Sequence, residues 1–172
     1  MRTALLPLLL AALWSVSPAV AAEREEVGLR ALGEYLDDEH DLFQLGVFAR
    51  WRPAGSRWLR WEAAGGVLHE SGKTRLYLSG GPLWRFAPGQ DRSTARFVID
   101  FGVHPTLLSK PRFPNVDLGS RIQFTSFLSA GVRFGPERLT RVALRVQHIS
   151  NAGIDDKNPG SDQLGVELSH RF

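Results

Sequence analysis

The chain has 172 residues, a formal net charge of +3 at pH 7 and no cysteine. Charges of both signs are spread along it, so no basic block addresses nucleic acid. The missing cysteine excludes disulfides, a thiolate metal site and a Cys nucleophile.

The first segment, residues 1–22, reads "MRTALLPLLLAALWSVSPAVAA". One charge at Arg2, an apolar stretch from Ala4 to about Val16 and the triplet Ala19-Val20-Ala21 give the layout of a secretory signal peptide, with cleavage expected after Ala21 or Ala22. The apolar core is shorter than the ~20 residues of a spanning helix. With Arg2 removed the net charge is about +2. Residues 23–172 are enough for one domain with a sizeable core, whereas two halves would each be marginal.

Beyond the leader no run approaches the ~18 apolar residues of a membrane helix. A period-two pattern recurs instead. The noisier first half gives strands near 27–35, 42–52, 57–68 and 74–86. In "RFVIDFGVH" Phe97, Ile99, Phe101 and Val103 alternate with polar or small residues. In "RIQFTSFLSAGVRF" Ile122, Phe124, Leu128, Ala130, Val132 and Phe134 stand against Arg121, Gln123, Thr125, Ser129, Gly131 and Arg133. "RVALRVQH" sets Val142, Leu144 and Val146 against Arg141, Ala143, Arg145 and Gln147, and "LGVELSHRF" repeats the pattern from Leu164 to Phe172. Each is a strand with one apolar and one polar face.

Eight strands follow. Their predicted connections are 36–41, 53–56, 69–73, 87–94, 105–118, 135–138 and 149–162. Apart from 87–94, short and longer connections alternate as in an outer-membrane barrel, with the long 105–118 and 149–162 outside.

The face rule decides between a soluble and a membrane barrel. Charges fall on the polar face of strand after strand, among them Arg50, Glu62, Asp100, Arg141, Arg145 and Glu167. A small barrel can hold these as a paired internal network while the apolar face meets lipid. The prediction is all-β, an eight-stranded antiparallel transmembrane barrel. Trp51, Trp61, Trp84, Phe86 and Phe134 fall near strand ends, where an aromatic girdle belongs.

Strand seven ends in "VQHISNAGI". His148 shares the parity of Val142, Leu144 and Val146, so it faces outward, and Ser150 follows two positions later on the same side. A polar pair aimed at lipid is costly away from the interface. Two strand residues separate alpha carbons by roughly 6.6 Å, a span an imidazole can cross to activate a serine hydroxyl. Asp162 has the same parity at the start of strand eight, where it could orient the imidazole; Asp155 and Asp156 are loop alternatives, and Glu167 faces inward.

"HISNAG", followed by Asn158, Gly160 and Asp162, resembles the PagL-type lipid A 3-O-deacylases of Gram-negative outer membranes, whose motif is His-x-Ser-Asn with a carboxylate fourteen positions after the histidine. The motif match covers residues 148–162. The resemblance implies a serine esterase with Ser150 as nucleophile, His148 as general base and Asp162 as orienting acid, here one methylene shorter than the family's glutamate. It also implies an oxyanion hole from the Gly153 backbone N–H and the Asn158 side chain, supported by Asn151. The substrate would be lipid A in lipopolysaccharide, cleaved at the ester-linked 3-hydroxyacyl chain of its 3-position by a site on the outer wall near the extracellular side.

Lys73, Lys110, Arg112 and Lys157 lie where they could meet lipid A phosphates. No cofactor and no metal is called for, "DDEHD" at 37–41 reads as a solvated loop, and His104 and His170 read as structural. A homodimer is compatible with such a barrel. Two other readings stay open: a non-catalytic structural or adhesive barrel, and a phospholipase or acyltransferase acting on glycerophospholipids.

Overall fold

A computed structural model describes residues 23–36, 41–88 and 95–172. The predicted leader and residues 37–40 of "DDEHD" lie outside the described residues. Eight strands form one closed antiparallel barrel in sequence order: β1 Glu23–Glu34, β2 Phe43–Arg52, β3 Leu59–Glu70, β4 Lys73–Phe86, β5 Phe97–Leu108, β6 Ile122–Phe134, β7 Thr140–Ser150 and β8 Ser161–Arg171. Strand β1 pairs with β8, so no edge is left open.

Alternation sets the two faces. Along β5 every second residue from Val98 to Leu108 is buried while Phe97, Ile99, Phe101, Val103 and Leu107 are exposed. The same rule leaves Leu128, Val142, Leu144, Val166 and Leu168 on the outside. The exterior is therefore apolar and the interior charged, the reverse of a soluble barrel and the arrangement lipid requires.

Inside, ion pairs replace a hydrophobic core. Arg50 reaches Glu62 at 2.8 Å, Glu167 at 3.0 Å and Glu26 at 3.1 Å. Arg85 pairs with Asp100 at 2.7 Å. Glu167 also receives Arg145 at 3.0 Å and Arg141 at 3.2 Å. No charge in this network stands alone, which is the condition for burying it. Arg121, predicted on the same polar faces, sits at a strand end and is exposed, as are Arg52 and Arg96.

The connections β1–β2, β3–β4, β5–β6 and β7–β8 share one end, the upper end. Several boundaries differ from the periodicity. The predicted connection 69–73 is only Ser71 and Gly72, with φ of 44° and 78°. Both left-handed centres make a turn whose twist suits a tight hairpin. Strand β5 continues through Pro105 to Leu108, four residues into the predicted loop 105–118. Pro105 stays opposite Phe124 in β6, and β4–β5 pairing lapses between Ser79↔Thr106 and Leu83↔Gly102. The two prolines, Pro82 and Pro105, fall in that lapse, where a missing N–H costs no rung. His104 fills part of it, its Nε2 lying 3.1 Å from the Pro82 carbonyl, a structural role as expected.

The β5–β6 loop also differs in where it goes. It folds into the upper mouth, and Phe113, Val116 and Leu118 join Leu42, Leu68, Tyr77 and Leu108 in a buried apolar cluster. Glu70 fastens the loop by accepting the Asn115 amide at 2.6 Å. At the lower end Trp51, Trp61, Trp84, Phe86 and Phe134 are gathered as one girdle, joined by Trp58 stacked on Phe86 at 6.1 Å.

Candidate active site

The predicted loop 149–162 is shorter than periodicity suggested. Strand β7 runs to Ser150 and β8 starts at Ser161, so Ser150 stands on a strand together with His148 and Asp162, which were expected there. His148 and Asp162 are directly opposed on the β7–β8 ladder. His148 Nδ1 lies 2.9 Å from Asp162 Oδ1, with both side chains a little under half exposed. Direct opposition brings Cβ atoms to about 5 Å, a gap a short aspartate closes. Asp155 and Asp156 are exposed in the loop, and Asp155 Oδ1 accepts the Lys157 N–H at 3.0 Å.

With Nδ1 turned to a carboxylate, the neutral ring carries its proton there and presents a lone pair at Nε2. Ser150 is on the same outward face, last in β7 and opposite Phe124. No hydrogen bond joins its hydroxyl to His148 among the described residues. A second hydroxyl also faces outward beside the ring: Ser126 in β6 is directly opposed to His148. Periodicity passed over Ser126, although its parity puts a polar group on the lipid face as plainly as for His148.

The β7–β8 loop is folded around Asn151, which is fully buried. Its two amide protons go to the Leu118 carbonyl at 3.0 Å and the Lys157 carbonyl at 2.6 Å. Its Oδ1 accepts the Gly153 N–H at 2.9 Å, and its own N–H donates to Asn158 Oδ1 at 2.9 Å. Asn151 thus has no proton left for a ligand and acts as a support. The single Gly153 N–H, predicted as an oxyanion donor, is likewise taken, by Asn151 Oδ1. The Asn158 Oδ1 is engaged, which leaves the exposed Asn158 with its amide N–H groups for a substrate.

Gly160, at φ +74°, lies behind the imidazole: a Cβ there would be 2.8 Å from His148 Cε1. No side chain fits at that place without moving the ring.

Of the predicted loop cations, Arg112 and Lys157 share Asp117, at 2.8 and 3.2 Å. Hydrogen bonding from Arg112, then from the Gly119 N–H and Lys157, holds the Asp117 carboxyl below its ordinary range. Lys73 and Lys110 are exposed at the upper end.

From His148 and Asp162 a groove of about 560 Å³ runs over the outer wall. Ser126 and Tyr35 lie at its polar head, and Val146, Leu128, Val103, Phe101 and Trp84 continue it downward. Trp84 and Phe101 stack at 5.9 Å. The arrangement is a polar cluster of His148, Asp162 and Ser126 at the head of an apolar groove on the outer wall.

Comparison with known proteins points the same way. The family model for lipid A 3-O-deacylase (PagL) matches residues 27–171. The lipid A deacylase PagL of Bordetella bronchiseptica is 33% identical over 91 residues, 53% of this chain and 47% of that protein, so the chain spans about half the length of this curated relative. The crystal structure of the outer membrane enzyme PagL overlays with a TM-score of 0.67 at 21% identity, over 85% of this chain and 99% of that one. A de novo designed transmembrane β-barrel overlays at 0.50 and 12% identity, covering 86% and 95%. The two overlays speak for the fold, and the family match spans nearly all of the barrel: the chain belongs to the PagL family of lipid A 3-O-deacylases.

Proposed function

We propose that this chain is an outer-membrane lipid A 3-O-deacylase, its upper end outward, hydrolysing the ester that links a 3-hydroxyacyl chain to the 3-position of lipid A. One observation carries the reading beyond family membership. The His148–Asp162 hydrogen bond sits on the outer wall, at the head of an apolar groove. A substrate confined to the outer leaflet reaches such a site by lateral diffusion, with its acyl chain along Leu128, Val103 and Phe101. The packed interior offers it no other route.

The chemistry follows from the groups in place. Ser150 Oγ attacks the ester carbonyl while its proton passes to His148 Nε2, and Asp162 stabilises the imidazolium that forms. The tetrahedral oxyanion takes hydrogen bonds from the Asn158 amide, and the Gly153 N–H joins as a second donor when it leaves Asn151 Oδ1 for the substrate. Collapse breaks the C–O bond to the sugar, and the departing oxygen takes the proton from His148. Water, deprotonated by the same imidazole, then cleaves the acyl-enzyme and releases a 3-hydroxy fatty acid.

Mass spectrometry of lipid A from a Gram-negative host expressing the chain should show loss of one 3-hydroxyacyl chain. Unchanged lipid A together with free fatty acid derived from glycerophospholipid would sink the lipid A reading and favour the phospholipase.

Two substitutions probe the machinery. Asn158→Ala is expected to lower kcat by about 10²–10³, with KM little changed, because the lost donor serves mainly the transition state. Gly160→Ala adds both a strained left-handed alanine and a methyl against the ring. It should cost roughly a hundredfold in turnover, the scale of a misplacement near 1 Å. Single-turnover assays in detergent micelles measure both.

A further inference from the structure

The barrel closes where β1 meets β8, and Asp162 stands at the top of that seam. The last regular rung pairs Glu34 with Gln163. One step higher the rung is half made. The Tyr35 N–H donates to the Asp162 carbonyl at 3.2 Å, but the Asp162 N–H turns to the Glu34 carboxylate at 3.2 Å instead of to the Tyr35 backbone. The other carboxylate oxygen accepts the buried Ser161 hydroxyl at 3.0 Å. A side chain thus stands in for the backbone acceptor the ladder lacks once β1 ends at Glu34.

We propose that Glu34 is a positioning residue for the reaction, fixing the main chain of Asp162 so that its short side chain stays on His148 Nδ1. The reasoning rests on the proposed role of Asp162 as orienting acid. Aspartate has only two rotatable bonds with which to correct a backbone displacement, so the 2.9 Å contact to His148 depends on where the top of β8 is held. Glu34 acts through its bonds to Ser161 and Asp162.

A double-mutant cycle tests this. Glu34→Ala should lower kcat by between about tenfold and a hundredfold, with KM within about twofold, since only the geometry of the acid is disturbed. Glu34→Gln keeps an oxygen that can accept the Asp162 N–H and should restore most of the loss. In an Asp162→Ala background, Glu34→Ala should cost nothing further, the signature of residues acting as one unit. An additive loss, or a loss that falls on KM, would overturn the assignment. If Asp162→Ala alone leaves turnover intact, the orienting acid itself is wrong, a result separable from failure of the Glu34 proposal. The heat-dependent gel mobility of the folded barrel checks that each variant has closed.

Discussion

Ser150→Ala is expected to reduce release of the 3-hydroxyacyl chain by at least about 10³-fold, whereas Ser126→Ala should stay within about tenfold of the parent. The two hydroxyls make this the sharpest test of the site. Both face outward beside His148, one two positions along β7, the other directly across in β6. Loop position separates them. The β7–β8 loop leaves Ser150 at once, bringing the exposed Asn158 side chain to its end of the strand, against the Asn151 N–H. Ser126 lies within β6, four residues below its start at Ile122. A nucleophile needs base and oxyanion donors around one carbonyl. The proposed mechanism gives both to Ser150, the residue next to that loop. Equal loss from both substitutions would mean that Ser126 holds substrate in a productive pose, and a Ser126 loss alone would exchange their roles. Labelling with a fluorophosphonate, which phosphonylates the nucleophilic serine with loss of fluoride, followed by peptide mapping, reads the same question without kinetics.

The barrel was legible because a lipid-facing strand has a strict two-residue period with charges on one side only. Arg141 and Arg145 against Val142, Leu144 and Val146 admit no other reading. The His148–Asp162 pairing was legible for the same reason: parity put His148 outward, and a hairpin carried Asp162 across to it. What escaped were places where period two stops being informative. Pro105 looked like a loop residue because the rule against proline in strands cannot foresee a matching lapse at Pro82 on the neighbour. Ser71-Gly72 is turn chemistry, but its two-residue length shows only once the register between His69 and Thr74 is fixed. Ser126 and Phe127 interrupt the apparent alternation of β6, since the inward residue is the aromatic. Phe127 is buried under the Arg145 guanidinium, 3.7 Å from its ring centre, and its serine neighbour is exposed. Phe113, Val116 and Leu118 have no period at all, and nothing local says that their loop turns back into the mouth.

Arg50→Leu is expected to destabilise the barrel by about 3–5 kcal/mol, the scale for breaking a buried ion network by removing one partner. The reason lies in how many carboxylates converge on that guanidinium. Glu26, Glu62, Glu167 and Asp100 all lie within 3.3 Å of it, and Phe48 covers its face at 4.3 Å. The remaining arginines cannot move in to compensate, because each already has partners of its own: Arg85 with Asp100 and Glu26, Arg145 with Glu167, Arg30 with Glu62 and Glu167. Removing Arg50 therefore takes from Glu26, Glu62, Glu167 and Asp100 the one guanidinium they share, inside a wall that faces lipid and with no solvent to replace it. Removing charge in balance should cost less. Arg50→Leu combined with Glu62→Leu deletes one of each sign and refills the space with apolar atoms, so the double variant should regain a substantial part of the loss. Urea unfolding in lipid vesicles, followed by tryptophan fluorescence from the lower girdle, measures both. A double variant no more stable than Arg50→Leu alone would mean that stacking of the guanidinium on Phe48, rather than ion pairing, sustains the middle of the barrel.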